Sequence, residues 1–308
     1  MNLATQQMST VLHESNEKFN LLLDLYNSKK LPKVLMLSGK KGSGKFTLIN
    51  HFLNYVFNKT GYDLNLKKID DNSLFYKQFI NHVSPNVIYL AGSNYKNVKI
   101  DDIRALKTTI LQSHISEKER YIIFDDVELF NINSMNALLK IIEEPSYNNN
   151  FILINNQTKP IIKTVHSRCL EIKIFLTNQK RINIIELLIK KNNLSPIIDY
   201  KSINITPGNF FIFNDICQKN KIDINKNFTQ NLEKISILYK KNKDLNFINL
   251  MLFLTDIFFH NKIFNFNENN EDLFEIKNFV KENINKFVMF NLNKNSLINA
   301  INNKFSND

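Results

Sequence analysis

The 308-residue chain is 43% hydrophobic and 22% charged, which excludes a mainly disordered chain and leaves room for about two or three domains. Its 40 Lys and Arg against 29 Asp and Glu leave a net charge of +11, spread along the chain, a mild lean toward a polyanionic partner. Two cysteines, Cys169 and Cys217, exclude a disulfide scaffold and a Cys-rich zinc module and fit a reducing, cytoplasmic setting.

The opening stretch MNLATQQMSTVLHESNEK has no apolar h-region, so no secretory signal is expected. No run approaches the ~18 apolar residues of a membrane span. Asn, Lys and Ile are heavily used, but the Asn residues are interleaved with Ile, Leu and Phe, unlike a low-complexity tract.

Residues 16–27 place Phe19, Leu22, Leu25 and Tyr26 at helical spacing. Residues 33–38 (KVLMLS) read as a buried strand ending in a Gly-rich turn, and 45–58 return to a helical period through Leu48, Phe52, Tyr55 and Val56. Further strands are predicted at 87–90, 120–124, 151–154 and 170–174. Helices are predicted at 100–112, with Asp101 or Asp102 near the N-cap, and at 133–142, stopped by Glu143-Glu144-Pro145. Strands alternating with helices over 30–175 predict a parallel α/β sheet. Beyond Phe175 the strand signals stop, and helices are predicted at 178–192, 208–219, 228–241, 245–260, 271–290 and 294–304.

Gly39-Lys40-Lys41-Gly42-Ser43-Gly44-Lys45 fits the P-loop pattern GxxxxGK between a predicted strand and a predicted helix. Gly39, Gly42 and Gly44 let successive backbone N–H groups turn inward as an anion nest, the helix N-terminus adds partial positive charge, and Lys45 reaches the outer phosphates. The alternative is a Gly-rich turn with a solvated lysine, yet three of the chain's six glycines sit here. The next position needs a Ser or Thr hydroxyl for Mg²⁺ and carries Phe46. Thr47 follows, about 100° further around the helix, and should not face a metal. A second element, Tyr121-Ile122-Ile123-Phe124-Asp125-Asp126, has the Walker B form of apolar strand then acid; Asp125 sits where Mg²⁺ would be held. The competing reading of Asp125 and Asp126, two loop acids after a strand, is the weaker one and weakens further beside the P-loop.

Asn136-Ala137-Leu138-Leu139-Lys140-Ile141-Ile142-Glu143-Glu144-Pro145, then a strand, then Ser167-Arg168-Cys169, resembles the bacterial clamp-loader AAA+ subunits, and within them the delta-prime branch of DNA polymerase III. The resemblance covers roughly residues 12–215. It implies a P-loop AAA+ α/β module over 1–176 with a parallel sheet flanked by helices, a small helical lid over 177–219, and an all-α C-terminal collar over 220–308. It also implies gamma/tau and delta subunits, a sliding clamp and primed DNA as partners, and no membrane.

Three departures from the ATP-hydrolysing gamma/tau pattern favour that branch. These are Phe46, Asp126 where hydrolytic relatives carry Glu, and Asn209 in Thr206-Pro207-Gly208-Asn209 where relatives carry a sensor-2 Arg. They imply no required cofactor and at most weak, vestigial ATP binding at Gly39, Gly42, Gly44, Lys45, Thr47, Asp125 and Asp126. Some relatives carry a four-Cys zinc module between the P-loop and the second strand; residues 57–90 contain no Cys, so no zinc is expected, and no metal-ligating residues are assigned. The implied role is a non-hydrolysing stator subunit of a DNA-directed DNA polymerase holoenzyme.

The same resemblance makes Arg168 an arginine finger acting in trans on a neighbour's ATP site, where a permanently charged fork suits the transferring γ-phosphate. The competing reading is a local ion pair, for instance to Glu171, and Cys169 reads as a small packing residue. The alternative function is a working AAA+ ATPase, either gamma/tau or a helicase loader; a P-loop small-molecule kinase would need an intact metal hydroxyl. The apolar stretch Phe247-Ile248-Leu250-Met251-Leu252-Phe253-Leu254 is read either as an oligomerisation face or as burial within one domain.

Overall fold

In the computed structural model, the described residues are 9–92, Asp101, Ile103, Ala105, Thr108, 119–145, 148–224, 226–265 and 270–306. They form two compact units: residues up to Ile184 together with Thr206–Gly208, and Ile185–Ile205 together with Asn209 onward.

The first unit carries the sheet. In chain order it contains α1 (Asn16–Asn27), β1 (Val34–Ser38), α2 (Lys45–Phe57), β2 (Tyr62–Asp63), β3 (Lys68–Ile69), α3 (Leu74–Ile80), β4 (Val87–Ala91), β5 (Arg120–Asp125), α4 (Ile132–Glu143), β6 (Asn149–Asn155), α5 (Lys163–His166), β7 (Leu170–Lys173) and the start of α6 (Asn178–Asn192). Five strands pair in the order β4-β5-β6-β1-β7, every pairing parallel. All five expected strands are present. The antiparallel β2–β3 pair and α3 were not expected. Of the expected helix 100–112, Asp101, Ile103, Ala105 and Thr108 are helical, and the rest lies outside the described residues.

β1 and β6 are buried along their whole length, as a parallel sheet covered on both faces requires, so they read as continuous apolar runs. Alternate side chains serve opposite layers. Leu35, Leu37, Tyr121, Ile123, Ile152 and Ile154 pack with Phe19, Leu48 and Phe52 on one side. Val34, Met36, Ile122, Phe124, Phe151 and Leu153 pack with Leu138 and Ile142 on the other. Each fully buried side chain of this size contributes roughly 1.5–3 kcal/mol. Local signals set the helix starts. Asn131 Oδ1 accepts the Ser134 N–H at 2.9 Å to cap α4, and Ser73 Oγ accepts the Tyr76 N–H at 3.3 Å to cap α3. α4 ends at Glu143, one residue short of the pre-proline Glu144.

The second unit is all-α: the rest of α6, then α7 (Pro207–Lys219), α8 (Phe228–Asn242), α9 (Leu245–Asn265), α10 (Asn270–Met289) and α11 (Lys294–Ser306). Each of α8 to α11 packs on the next, and α11 returns to α8, closing a four-helix bundle. α9 is apolar around much of its circumference because it is the shared inner helix; Phe247, Ile248, Leu250, Met251 and Leu254 are buried. The stretch 247–254 is therefore core of its own unit, which removes the reason for reading it as an oligomerisation face. Phe210, Phe213, Ile216 and Cys217 of α7 share that core with residues as far along as Ile301.

Candidate functional site

Parallel strands place all their C-terminal ends on one edge, and loops there build sites. Three such ends converge. β1 runs into the Gly39–Lys45 loop, β5 ends at Asp125, and β6 ends at Asn155, whose carbonyl accepts the Gly39 N–H at 3.1 Å. Gly39 is packed so closely that a Cβ would collide with the Ile174 carbonyl. Gly42 and Gly44 hold φ of +80° and +91°, which side-chain-bearing residues rarely adopt, and Gly44 is the N-cap of α2. The strand, nest and helix follow the P-loop arrangement expected from the spacing.

Two lysines of this loop have partners within the unit, and of these only Lys45 is buried. Lys45 Nζ donates to the carbonyls of Gly39 at 2.6 Å and Lys40 at 2.9 Å, and the side chain is buried. Burial brings its pKa down to about 8, against the pull of Asp125, Glu128 and Asp126. Lys41 Nζ meets both carboxylate oxygens of Asp126, at 3.2 and 3.1 Å. Residues Thr206–Gly208 of the same unit lie on the loop: the Thr206 hydroxyl donates to the Lys41 carbonyl at 2.7 Å and the Gly208 N–H to the Gly42 carbonyl at 2.9 Å. A Cβ on Gly208 would come within 2.8 Å of Gly42 Cα, so glycine is needed for this approach.

The two acids are equally committed. Asp125 Oδ2 accepts the Tyr89 hydroxyl at 2.7 Å, and its Oδ1 accepts the Asp126 N–H at 2.8 Å. Loss of solvent, then the charge of Asp126, pushes the Asp125 carboxyl above its ordinary value; the Tyr89 bond and Lys41 oppose this. Asp126, in the left-handed region at φ +49°, accepts from Asn156 Nδ2 at 2.6 Å as well as from Lys41. Buried Glu128 accepts the Asn156 and Thr158 N–H groups and the Thr158 hydroxyl. Asn156, Tyr89 and Glu128 were missed in the sequence. Only a polar residue directly after a central strand pointed to Asn156, in a chain full of Asn.

This donor set fits an anion and not a divalent metal. Ser43 Oγ and Ser38 Oγ are buried without a partner beside the nest, so hydrogen-bonding capacity is left over there. At the position of the metal hydroxyl, the Phe46 ring stacks on Phe79 at 5.7 Å and meets Tyr89 edge-on at 5.5 Å. Tyr89, Lys41 and Asn156 take up the carboxylate oxygens that would bind the ion. Thr47 is half-buried on α2. Among the described residues, no cluster of three or more His, Cys, Asp and Glu side chains is arranged to hold a metal ion.

The depressed Lys45 pKa gives a pH prediction. Its charged form is penalised in the folded chain, so the penalty is present below about pH 8 and relieved as pH rises toward 10.5. Attraction for an anion follows the charge, so affinity for inorganic tripolyphosphate should fall as pH rises through about 8. Titration calorimetry at pH 7 and 9.5 checks this; equal affinities would place the anion away from Lys45.

Arg168 lies on the opposite edge of the sheet. It precedes β7, whose register with β1 sets Leu170 against Leu35 and Lys173 against Ser38, so Arg168 is at the N-terminal end and the P-loop at the C-terminal end. Its ion pair is with Glu143, Nη2 to Oε1 at 2.7 Å, while the carboxylate of Glu171 lies 3.7 Å from His166 Nδ1. The local partner suggested by sequence, Glu171, is thus replaced by the glutamate that ends α4. Burial, then Glu171, pushes the Cys169 thiol up to about 11, and its Sγ donates to the Val165 carbonyl, as befits a packing residue. An open cavity of about 540 Å³, lined in part by Gln157, Thr158, Lys159, His166 and Glu171, contains none of the P-loop residues.

The sequence profile of the family described as "DNA polymerase III, delta subunit" matches residues 14–178. The delta-prime subunit of DNA polymerase III from Buchnera aphidicola subsp. Schizaphis graminum is 25% identical over 246 residues, 76% of this chain and 74% of that one. The gamma subunit from Buchnera aphidicola subsp. Acyrthosiphon pisum is 26% identical over 147 residues, 48% of this chain and 39% of that one. For the first relatives found, the matched stretch spans only 39%, 26% and 23% of their own length. A gamma-subunit-related protein of Thermotoga maritima has the same fold, with a TM-score of 0.53 at 16% identity over 92% of this chain and 98% of that one.

Proposed function

The chain belongs to the delta-prime family of DNA polymerase III subunits, and we propose that it serves as the non-hydrolysing stator of a clamp loader. In this reading it assembles with gamma/tau and delta subunits in the cytoplasm and helps place a sliding clamp on primed DNA. It also offers Arg168 to a neighbour's ATP site. Its helical second unit, Ile185–Ile205 with Asn209 onward, supplies both lid and collar.

The observation that carries the reading is the pairing of Lys41 with Asp126 across a loop whose next helical residue is Phe46. An internal ammonium takes the carboxylate, and an aromatic ring stands where the metal hydroxyl would be. Phosphoryl transfer in P-loop proteins is positioning plus metal-assisted charge stabilisation, and this constellation supplies neither the hydroxyl nor a free carboxylate. The Gly39–Lys45 nest keeps the means to hold an anion, consistent with vestigial nucleotide binding. Relatives named gamma raise the second reading, a working ATPase, but the metal site argues against it.

The isolated chain should therefore release phosphate from ATP no faster than buffer, with or without Mg²⁺. Magnesium-dependent turnover that Lys45→Ala abolishes would sink the stator reading. Metal analysis of the purified chain should find no stoichiometric zinc.

A further inference from the structure

The fork of Arg168 is held from both of its terminal nitrogens. Nη2 meets Glu143 Oε1 at 2.7 Å. Nη1 donates to the Thr164 carbonyl at 2.9 Å and to Ser167 Oγ at 3.2 Å. These acceptors come from three places: the last residue of α4, the short helix α5, and the turn that follows it. Both side chains stay accessible, at 35% and 43% exposure for Arg168 and Glu143. A guanidinium grips a phosphate through two parallel N–H donors, and here the terminal nitrogens already have partners within the subunit.

We propose that Glu143 is a positioning residue that latches Arg168 within its own subunit until a neighbouring chain's nucleoside triphosphate competes it away. The proposal rests on the reading of Arg168 as trans-acting. A carboxylate and an arriving triphosphate repel each other and compete for the N–H groups of Nη2, so engagement of the arginine favours opening of the pair. An exposed ion pair is weak, so the latch opens readily yet still lowers the share of arginines free to engage. The latch holds the guanidinium in one rotamer while the subunit is alone and releases it when an anion arrives.

The experiment is steady-state ATP hydrolysis by the reconstituted assembly carrying this chain as wild type, Glu143→Gln, Arg168→Ala or the double variant. Glu143→Gln keeps the shape and a neutral acceptor but removes the charge. It should raise the Arg168-dependent rate by about two- to fivefold, the range of an exposed ion pair. The gain should vanish in the double variant, which should match Arg168→Ala. If Arg168→Ala slows the assembly while Glu143→Gln leaves the rate unchanged or lowers it, the latch is wrong and the trans reading stands. If Arg168→Ala changes nothing, the trans reading fails and the latch fails with it.

Discussion

Arg168→Ala should slow ATP hydrolysis at the one neighbouring site it serves by about 10³–10⁵, the range for an arginine finger in phosphoryl transfer. In an assembly with several active sites the bulk rate falls less, because the other sites continue, so single-turnover measurement of the affected site is the sharper readout. Within its own subunit Arg168 makes an exposed ion pair with Glu143, worth at most about 1 kcal/mol. Its removal should thus leave folding and assembly intact. This asymmetry separates the two roles, since a purely local ion-pair residue would give nearly unchanged rates in both assays. Arg168→Lys should not restore the rate, because a point charge lacks the fork. Equal hydrolysis and clamp-loading rates for wild type and Arg168→Ala, in assemblies of equal composition, would reduce Arg168 to a structural contact.

The sheet was legible because buried parallel strands write themselves as apolar runs. KVLMLS, RYIIF and FILI each coincide with a strand to within a residue or two. Helices 16–27 and 178–192 were legible to the residue from spacing alone. The β2–β3 pair was not, since two residues per strand carry no periodicity. At the site, the glycines were legible because backbone geometry restricts the residue type, and Lys45 because the loop pattern calls for a cation there. The pairing of Lys41 with Asp126 bridges 85 positions. No local pattern encodes it: Lys41 fills a variable position of the loop pattern. The same holds for Glu143, which the sequence offered only as a helix end. Asn156 was hidden by composition, since one more Asn after a strand carries no signal in so Asn-rich a chain.

Phe213→Ala should destabilise the second unit by about 3–5 kcal/mol, the range for removing a buried aromatic ring. Phe213 is 2% exposed, and its ring lies 5.2 Å from Phe253 on α9. The α7 helix thus shares its core with the bundle beyond residue 220, although a sequence boundary falls between them. A cavity at Phe213 is therefore felt by the whole unit, and its thermal transition, followed by circular dichroism, should drop by more than about 10 °C. The same packing forecasts what truncation does: a chain ending at residue 219 leaves Phe210, Phe213, Ile216 and Cys217 facing water. Tests of the collar should consequently use exposed positions such as Phe274, Met289 and Phe290, at 61%, 76% and 67% exposure, and not a cut at 220. A Phe213→Ala chain melting within about 2 °C of wild type would show that this ring contributes little to the core of the second unit.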